Sequence, residues 1–309
     1  MKKLITLTIF FTCLFCWQSC NAKPQIDLRA DGLYLTDITV AQLEKLYADY
    51  RYKDYIYMPD WVYPPIYLTN LPTDFNKISD SNKRNKLFLQ ILGPLALKLS
   101  EEQKEERLQI LELRENFLKG QDLTSEQEKF IEEKAVKYDI FTRMKGRRKY
   151  DIILKRLALK ADVVPPSILM AAAAIESDWG TNRIAQEGNS LYKELDWYTD
   201  KGLKPRDDNE DNSYRYKTFP SLYESMKSYA LRINSNVNFE QMHLYRAAIT
   251  YREKPVLGRA LAHTMLFNSN LKNFAGLLDY TITFYELTNF DEAKLGYVKI
   301  PQATDKKID

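Results

Sequence analysis

The segment Pro165-Pro166-Ser167-Ile168-Leu169-Met170-Ala171-Ala172-Ala173-Ala174-Ile175-Glu176-Ser177-Asp178-Trp179-Gly180 constrains this chain more than any other. Paired prolines suit the start of a helix, where the missing N–H would be unbonded anyway. The Ile, Leu, Met and Ala that follow are mostly strong helix formers and leave no polar face. A helix apolar all round must be buried, and this one is too short to cross a membrane. The fold therefore has to wrap around it. Its one acid, Glu176, comes at the end, just before Trp179 and Gly180, and glycine is the usual residue where a helix stops. A carboxyl group at the end of an apolar helix, beside an indole, is partly desolvated. Desolvation favours the protonated form, which suits a general acid near neutral pH. The same letters also describe a solvated helix-end acid with Trp179 as a core plug, and the segment alone does not choose between them.

A wider pattern surrounds the segment. Glu176-Ser177-Asp178-Trp179-Gly180, then Thr181-Asn182-Arg183-Ile184-Ala185, then Gly188-Asn189-Ser190-Leu191-Tyr192, resembles the glucosaminidase domain of peptidoglycan hydrolases. That family reads Glu-Ser-x-Trp-Gly and then Asn-x-Leu-Phe-Gly; Lys193 stands here in place of the last glycine. The similarity is greatest to Bax-type exported proteins and extends more distantly to the flagellar muramidase domain and to mannosyl-glycoprotein endo-beta-N-acetylglucosaminidases. It covers roughly residues 70–290, beginning with Leu71-Pro72-Thr73-Asp74-Phe75, and is most specific between about 164 and 233.

The resemblance implies a mainly α, lysozyme-like glucosaminidase domain with a small β-hairpin, preceded by a helical region. It implies hydrolysis of the β-1,4 bond following N-acetylglucosamine in peptidoglycan glycan strands, with Glu176 as the catalytic acid. Relatives carry a glutamate near the start of the second hairpin strand, where Arg215 stands here. The second carboxylate is therefore expected from the neighbouring loop, at Glu210 or Asp211, with Asp207 and Asp208 as alternatives; catalysis assisted by the substrate's own acetamido group needs no second acid. Substrate contacts are expected at Trp179, Asn189, Tyr192, Trp197, Tyr216 and Phe274. Phe274-Ala275 replaces the Tyr-Ala or Tyr-Val with which relatives place a hydroxyl in the cleft, and phenylalanine has none. Either Tyr280 or Tyr192 takes over that role, or the chain binds peptidoglycan as a scaffold without turnover. A lytic transglycosylase, which also works with one glutamate, is the other enzymatic alternative.

Composition narrows the chemistry. The 309 residues carry 45 Lys and Arg against 42 Asp and Glu, too balanced a charge to argue for nucleic acid. The sequence holds no Gly-rich phosphate loop, so no nucleotide is expected. His243 and His263 have no ligand-like spacing, and Cys13, Cys16 and Cys20 all fall in the first residues, so neither a metal nor any other cofactor is expected. Those first residues read as an export signal: Lys2-Lys3, an apolar run from Leu4 to Trp17, and the small residue Ala22. The alternative is lipid attachment at Cys20, which would be the chain's one link to the membrane. The protein is expected outside the inner membrane, in the periplasm or cell envelope, without disulfides.

The expected organisation is a signal peptide over 1–22, an aromatic-rich segment over 23–66, a helical region over 67–160, the glucosaminidase-like domain over 161–290 and a polar tail over 291–309. Helices are predicted over 40–50, 86–99 (kinked at Gly93-Pro94), 101–118, 150–159, 238–250, 258–266 and 271–287, with capping boxes opening one at Thr124 or Ser125 and another at Ser221. Tyr214–Phe219 alternates like a strand, and 196–212 reads as an exposed lobe. N-terminal sequencing of the exported protein is expected to start near Lys23. A cytosolic protein retaining Met1 would contradict the reading, and a lipid on Cys20 would select the alternative.

Overall fold

The computed structural model describes residues 23–52, 54–56, 58–199, 201–205, 214–252, 254–265 and 273–296; the expected leader, with Cys20, lies outside them. Strands β1 (Gln25–Arg29) and β2 (Gly32–Thr36) lead into α1 (Val40–Asp49). Short strands β3 (Val62–Tyr63) and β4 (Ile66–Leu68) precede the long helix α2 (Ser81–Leu118). Then come α3 (Ser125–Lys137), α4 (Gly146–Lys160), α5 (Pro166–Glu176) and α6 (Arg183–Gly188). A hairpin of β5 (Leu195–Asp196) and β6 (Arg215–Tyr216) separates these from α7 (Leu222–Ser235), α8 (Glu240–Tyr251), α9 (Gly258–Ala262), α10 (Phe274–Phe284) and β7 (Lys294–Leu295). The protein is mainly α with a small β-hairpin, as the sequence predicts.

Helix α5 is buried at every position but Ile175. Its Ile168, Leu169 and Met170 are wholly enclosed, each contributing roughly 1.5–3 kcal/mol of hydrophobic stabilisation. The first part of α2, α9 and α10 pack against it, and α7 packs on α2, in one continuous core. Residues 23–66 pack into the same core through Leu33, Leu35, Leu43, Tyr52 and Tyr63. A second cluster, built on Ile110, Ile131, Leu154 and Leu157, joins the far half of α2 to α3 and α4.

Several features of the fold depend on contacts that the sequence does not mark. Helix α2 runs for 38 residues with Gly93 and Pro94 inside it. Pro94 has no N–H to give to the carbonyl of Gln90, and the Tyr52 hydroxyl donates to that carbonyl instead at 3.0 Å. Gly93 lets the ring of Phe290 approach to where a Cβ would lie 2.6 Å away. The N-terminal region forms a sheet of order β1-β2-β4, antiparallel then parallel. At the start of the polar tail β7 pairs with β3, with Val62 opposite Lys294. The predicted strand 214–219 shrinks to β6, and α4 begins at Gly146, so the basic run 146–149 is simply its first turn.

Neither α5 nor α9 has a capping side chain of its own; their N-caps are Pro165 and Leu257. Asp291 supplies both. It accepts from Ser167 N at 2.9 Å and Ser167 Oγ at 2.8 Å, and from Gly258 N at 2.7 Å. The connector before α5 is held by two arginines. Arg246 of α8, fully buried, donates to the carbonyls of Val163 and Lys160 and to Asn234 Oδ1. Arg107 of α2 donates to those of Ala158 and Ala161 and pairs with Asp162 at 3.1 Å. His243 Nε2 lies 2.8 Å from the carbonyl of Ile233, and burial lowers the imidazole pKa to about 4, so at neutral pH it is an uncharged donor inside the core.

Burial pushes the Asp291 carboxyl up to about 6 although its three donors favour the charge. A folded-state pKa above the unfolded value means that the folded chain holds this proton more tightly. That contribution is fully present below about pH 4 and is lost as the pH rises through about 6. Asp291→Ala is expected to destabilise the protein by about 2–3 kcal/mol, the scale of two lost caps, and to flatten the fall in stability between about pH 4 and 6. Urea unfolding across that range measures both.

Candidate active site

The turn after α5 is built residue by residue from the motif. Ser177 Oγ donates to the carbonyl of Ala173 at 2.6 Å and accepts from Gly180 N at 2.8 Å. Trp179 N donates to Ala174 O at 2.8 Å. Asp178, Trp179 and Gly180 follow one another with φ of 51°, 57° and 75°. Left-handed backbone costs about 1–2 kcal/mol for a residue other than glycine, and such strain concentrates at functional turns. Glycine is required at 180, because a Cβ there would meet the ring of Phe88 at 2.7 Å. Asn182 then ties the turn down: Nδ2 donates to the backbone carbonyl of Glu176 at 3.0 Å, while Oδ1 caps α6 by accepting from Ala185 N at 2.8 Å. Glu176 thus sits 7% exposed on a backbone fixed from both sides.

Among the expected substrate contacts, Trp179 is half-buried, with its ring centroid 4.6 Å from that of Tyr285 and 6.4 Å from that of Phe88. Asn189 adopts φ 51° to end α6 and donates through Nδ2 to Phe219 O at 3.2 Å, stitching the helix to the segment ahead of α7. The hairpin carries the exposed aromatic surface. Trp197 is 54% exposed and lies 5.2 Å from Tyr214, which meets Tyr216 edge-on at 5.8 Å. Glu210, Asp211, Asp207 and Asp208 lie outside the described residues.

Two of the expected contacts are instead core residues. Tyr192 is buried, stacked on Tyr229 with ring centroids 3.9 Å apart, and its hydroxyl donates to Leu169 O of α5 at 3.1 Å. Burial holds that hydroxyl's pKa well above its ordinary value. Phe274 is 2% exposed at the start of α10, packed in the main core. A hydroxyl at position 274 would have to be accommodated among apolar side chains, which accounts for phenylalanine there. Tyr280 lies further along the same helix, 61% exposed.

Sequence reasoning missed Glu194. It is 5% exposed, and its Oε2 accepts from Ser228 Oγ at 3.0 Å and pairs with Lys217 Nζ at 3.3 Å. It anchors both ends of the hairpin, since Lys217 N also donates to the Glu194 carbonyl at 2.8 Å. Its signal was an acid two residues after Tyr192 of the motif, beyond Lys193, where nothing in the spacing marks it. Tyr214 was likewise taken only as part of a strand. Among the described residues, no group of three His, Cys, Asp or Glu is placed to hold a metal ion.

Residues 153–287 match the glucosaminidase family described as mannosyl-glycoprotein endo-beta-N-acetylglucosaminidase. The chain is similar to Protein bax of Escherichia coli (strain K12), 27% identical over 107 residues that make up 34% of this chain and 37% of that relative. It also has a likeness to the catalytic domain of the autolysin Auto from Listeria monocytogenes, at 17% identity and a TM-score of 0.31, covering 55% of this chain and 90% of that one. A likeness that loose carries no argument about the site.

Because the Tyr192 hydroxyl is spent inside the core, Tyr192→Phe is expected to cost about 0.5–1.5 kcal/mol of stability, the net worth of one hydrogen bond. Turnover should change by less than about twofold for a residue that touches no substrate. Urea unfolding together with glycan cleavage assays tests this; lost turnover at unchanged stability would put the hydroxyl at the substrate.

Proposed function

Because residues 153–287 match the glucosaminidase family, we propose that this protein hydrolyses the glycan strands of peptidoglycan in the cell envelope, with Glu176 as the general acid. The observation that carries the reading is the placement of Glu176: a buried carboxyl closing an apolar helix, on a strained turn fixed by Ser177, Gly180 and Asn182. A desolvated carboxyl is the kind that keeps the proton a general acid must deliver. Glu176 would protonate the leaving oxygen of the β-1,4 bond after N-acetylglucosamine. Water attack would be helped by a loop acid, Glu210 or Asp211, or by the acetamido group of the sugar itself. Trp197, Tyr214 and Tyr216 form the hairpin wall on which the sugar faces would rest. Action outside the inner membrane follows from such a substrate; among the described residues no helix is long and apolar enough to cross a membrane.

A second reading keeps glycan binding without turnover. It draws on Phe274, which supplies no hydroxyl and is enclosed in the core. Lytic transglycosylation is separated from hydrolysis by its products, since only hydrolysis leaves a reducing end. Glu176→Gln is expected to lower cleavage of purified sacculi at least about a hundredfold, the scale of general acid catalysis, with the melting temperature nearly unchanged. Mass analysis of the released fragments reads the bond and the chemistry. Full activity in the variant would refute the assignment, and a wild type that binds but never cleaves would establish the scaffold reading.

A further inference from the structure

Helix α10 buries Phe274, Leu278, Thr281 and Ile282. On its other side it leaves Leu277, Tyr280 and Phe284 exposed at 40%, 61% and 63%. Three apolar side chains at helical spacing, turned to solvent, are not needed for the core and usually mark a contact surface. The rings of Tyr280 and Phe284 lie 5.5 Å apart and 19° from parallel. At that separation they are offset rather than eclipsed, so each keeps part of a face open. Phe284 meets Tyr285 at 4.9 Å, and Tyr285 meets Trp179 at 4.6 Å. Tyr285 is held in place by Asn85, whose Nδ2 donates to its hydroxyl at 3.0 Å. A single file of rings therefore runs from the solvent face of α10 to the turn that carries Glu176.

We propose that this file is a second saccharide-binding platform, which holds the glycan strand at a distance from the bond being cleaved. The proposal rests on the function argued above and extends it to a named surface. Asp279 and Thr283 neighbour these rings in the sequence of α10, Glu286 follows the helix, and Asp279 pairs with Arg259 at 2.9 Å. Flat apolar faces with polar neighbours suit a β-1,4-linked chain of N-acetylated amino sugars, whose pyranose faces are apolar and whose rims carry hydroxyl and amide groups. An anionic lipid surface would call for unpaired basic residues beside the apolar stripe, whereas Arg259 is already paired with Asp279 and Glu286 adds an acid. Continuity with Trp179 gives the platform its direction, toward the catalytic turn.

The test is Tyr280→Ala with Phe284→Ala in the full mature chain, with and without Glu176→Gln. Both positions are exposed, so the melting temperature should hold. Binding of the Glu176→Gln form to purified sacculi is expected to weaken at least about tenfold on adding the two alanines, on the scale of lost stacking contacts. Turnover of a short soluble chito-oligosaccharide, which cannot reach the platform, should stay within about twofold in Leu277→Ala with Phe284→Ala, which leaves the Tyr280 hydroxyl in place. Tyr280→Trp with Phe284→Trp should keep sacculus binding. Unchanged sacculus binding in the alanine form overturns the platform alone, as does a wild type that binds anionic lipid vesicles through these two residues instead. A wild type that neither binds nor cleaves sacculi overturns the platform and the proposed function together.

Discussion

A helix with no polar face can be held only through its ends, and that constraint governs this molecule. Every side of α5 is apolar and enclosed, so packing fixes its tilt but leaves its terminal N–H and C=O groups to be satisfied by other segments. Asp291 serves the first end and, through Gly258, the start of α9 as well. Arg246 and Arg107 fix the connector that delivers the chain into α5. Ser177, Asn182 and the left-handed turn close the second end. Each of these groups comes from a different part of the sequence, and together they set the position of one carboxyl, that of Glu176.

What could be read in the sequence followed from local periodicity and local chemistry. The buried character of α5 is written in its unbroken apolar run. The capping residues Thr124 and Ser221 mark the starts of α3 and α7, and each accepts from the backbone three residues on. The motif letters around Glu176 mark a tightly built turn, and the structure gives a reason for each of Ser177, Gly180 and Asn182. What could not be read depends on partners far away. Nothing near Pro94 says that Tyr52 will serve the carbonyl it orphans and let one helix continue through it. Two-residue strands such as β3 and β7 have no period to detect; they exist because their distant partners meet.

The site shows the same division. An exposed hairpin wall was legible from aromatic residues in a polar lobe. Tyr192 and Phe274 were not separable from it by type alone, since a tyrosine or phenylalanine serves equally in a core and on a sugar face. Their burial decides the matter, and it comes from Tyr229, Leu169 and the inner side of α10. Glu194 is the converse case, a charge taken inside because Lys217 and Ser228 await it.

The pairing of β3 with β7 sets an order of events for the newly made chain. Tyr63 packs on Phe290 at 4.5 Å, Phe290 fills the space left by Gly93, and Asp291 reaches back to Ser167. The earliest described segments and the middle of the chain thus wait for residues near 290 before their core can close. Contacts so distant along the chain slow folding and leave apolar surface open meanwhile. Local elements such as the α3–α4 pair need no such partner, whereas the cap of α5 comes from Asp291, 124 residues after Ser167. A chain cut short before Asp291 would therefore lose the shared cap of α5 and α9 that fixes the start of the helix ending in Glu176.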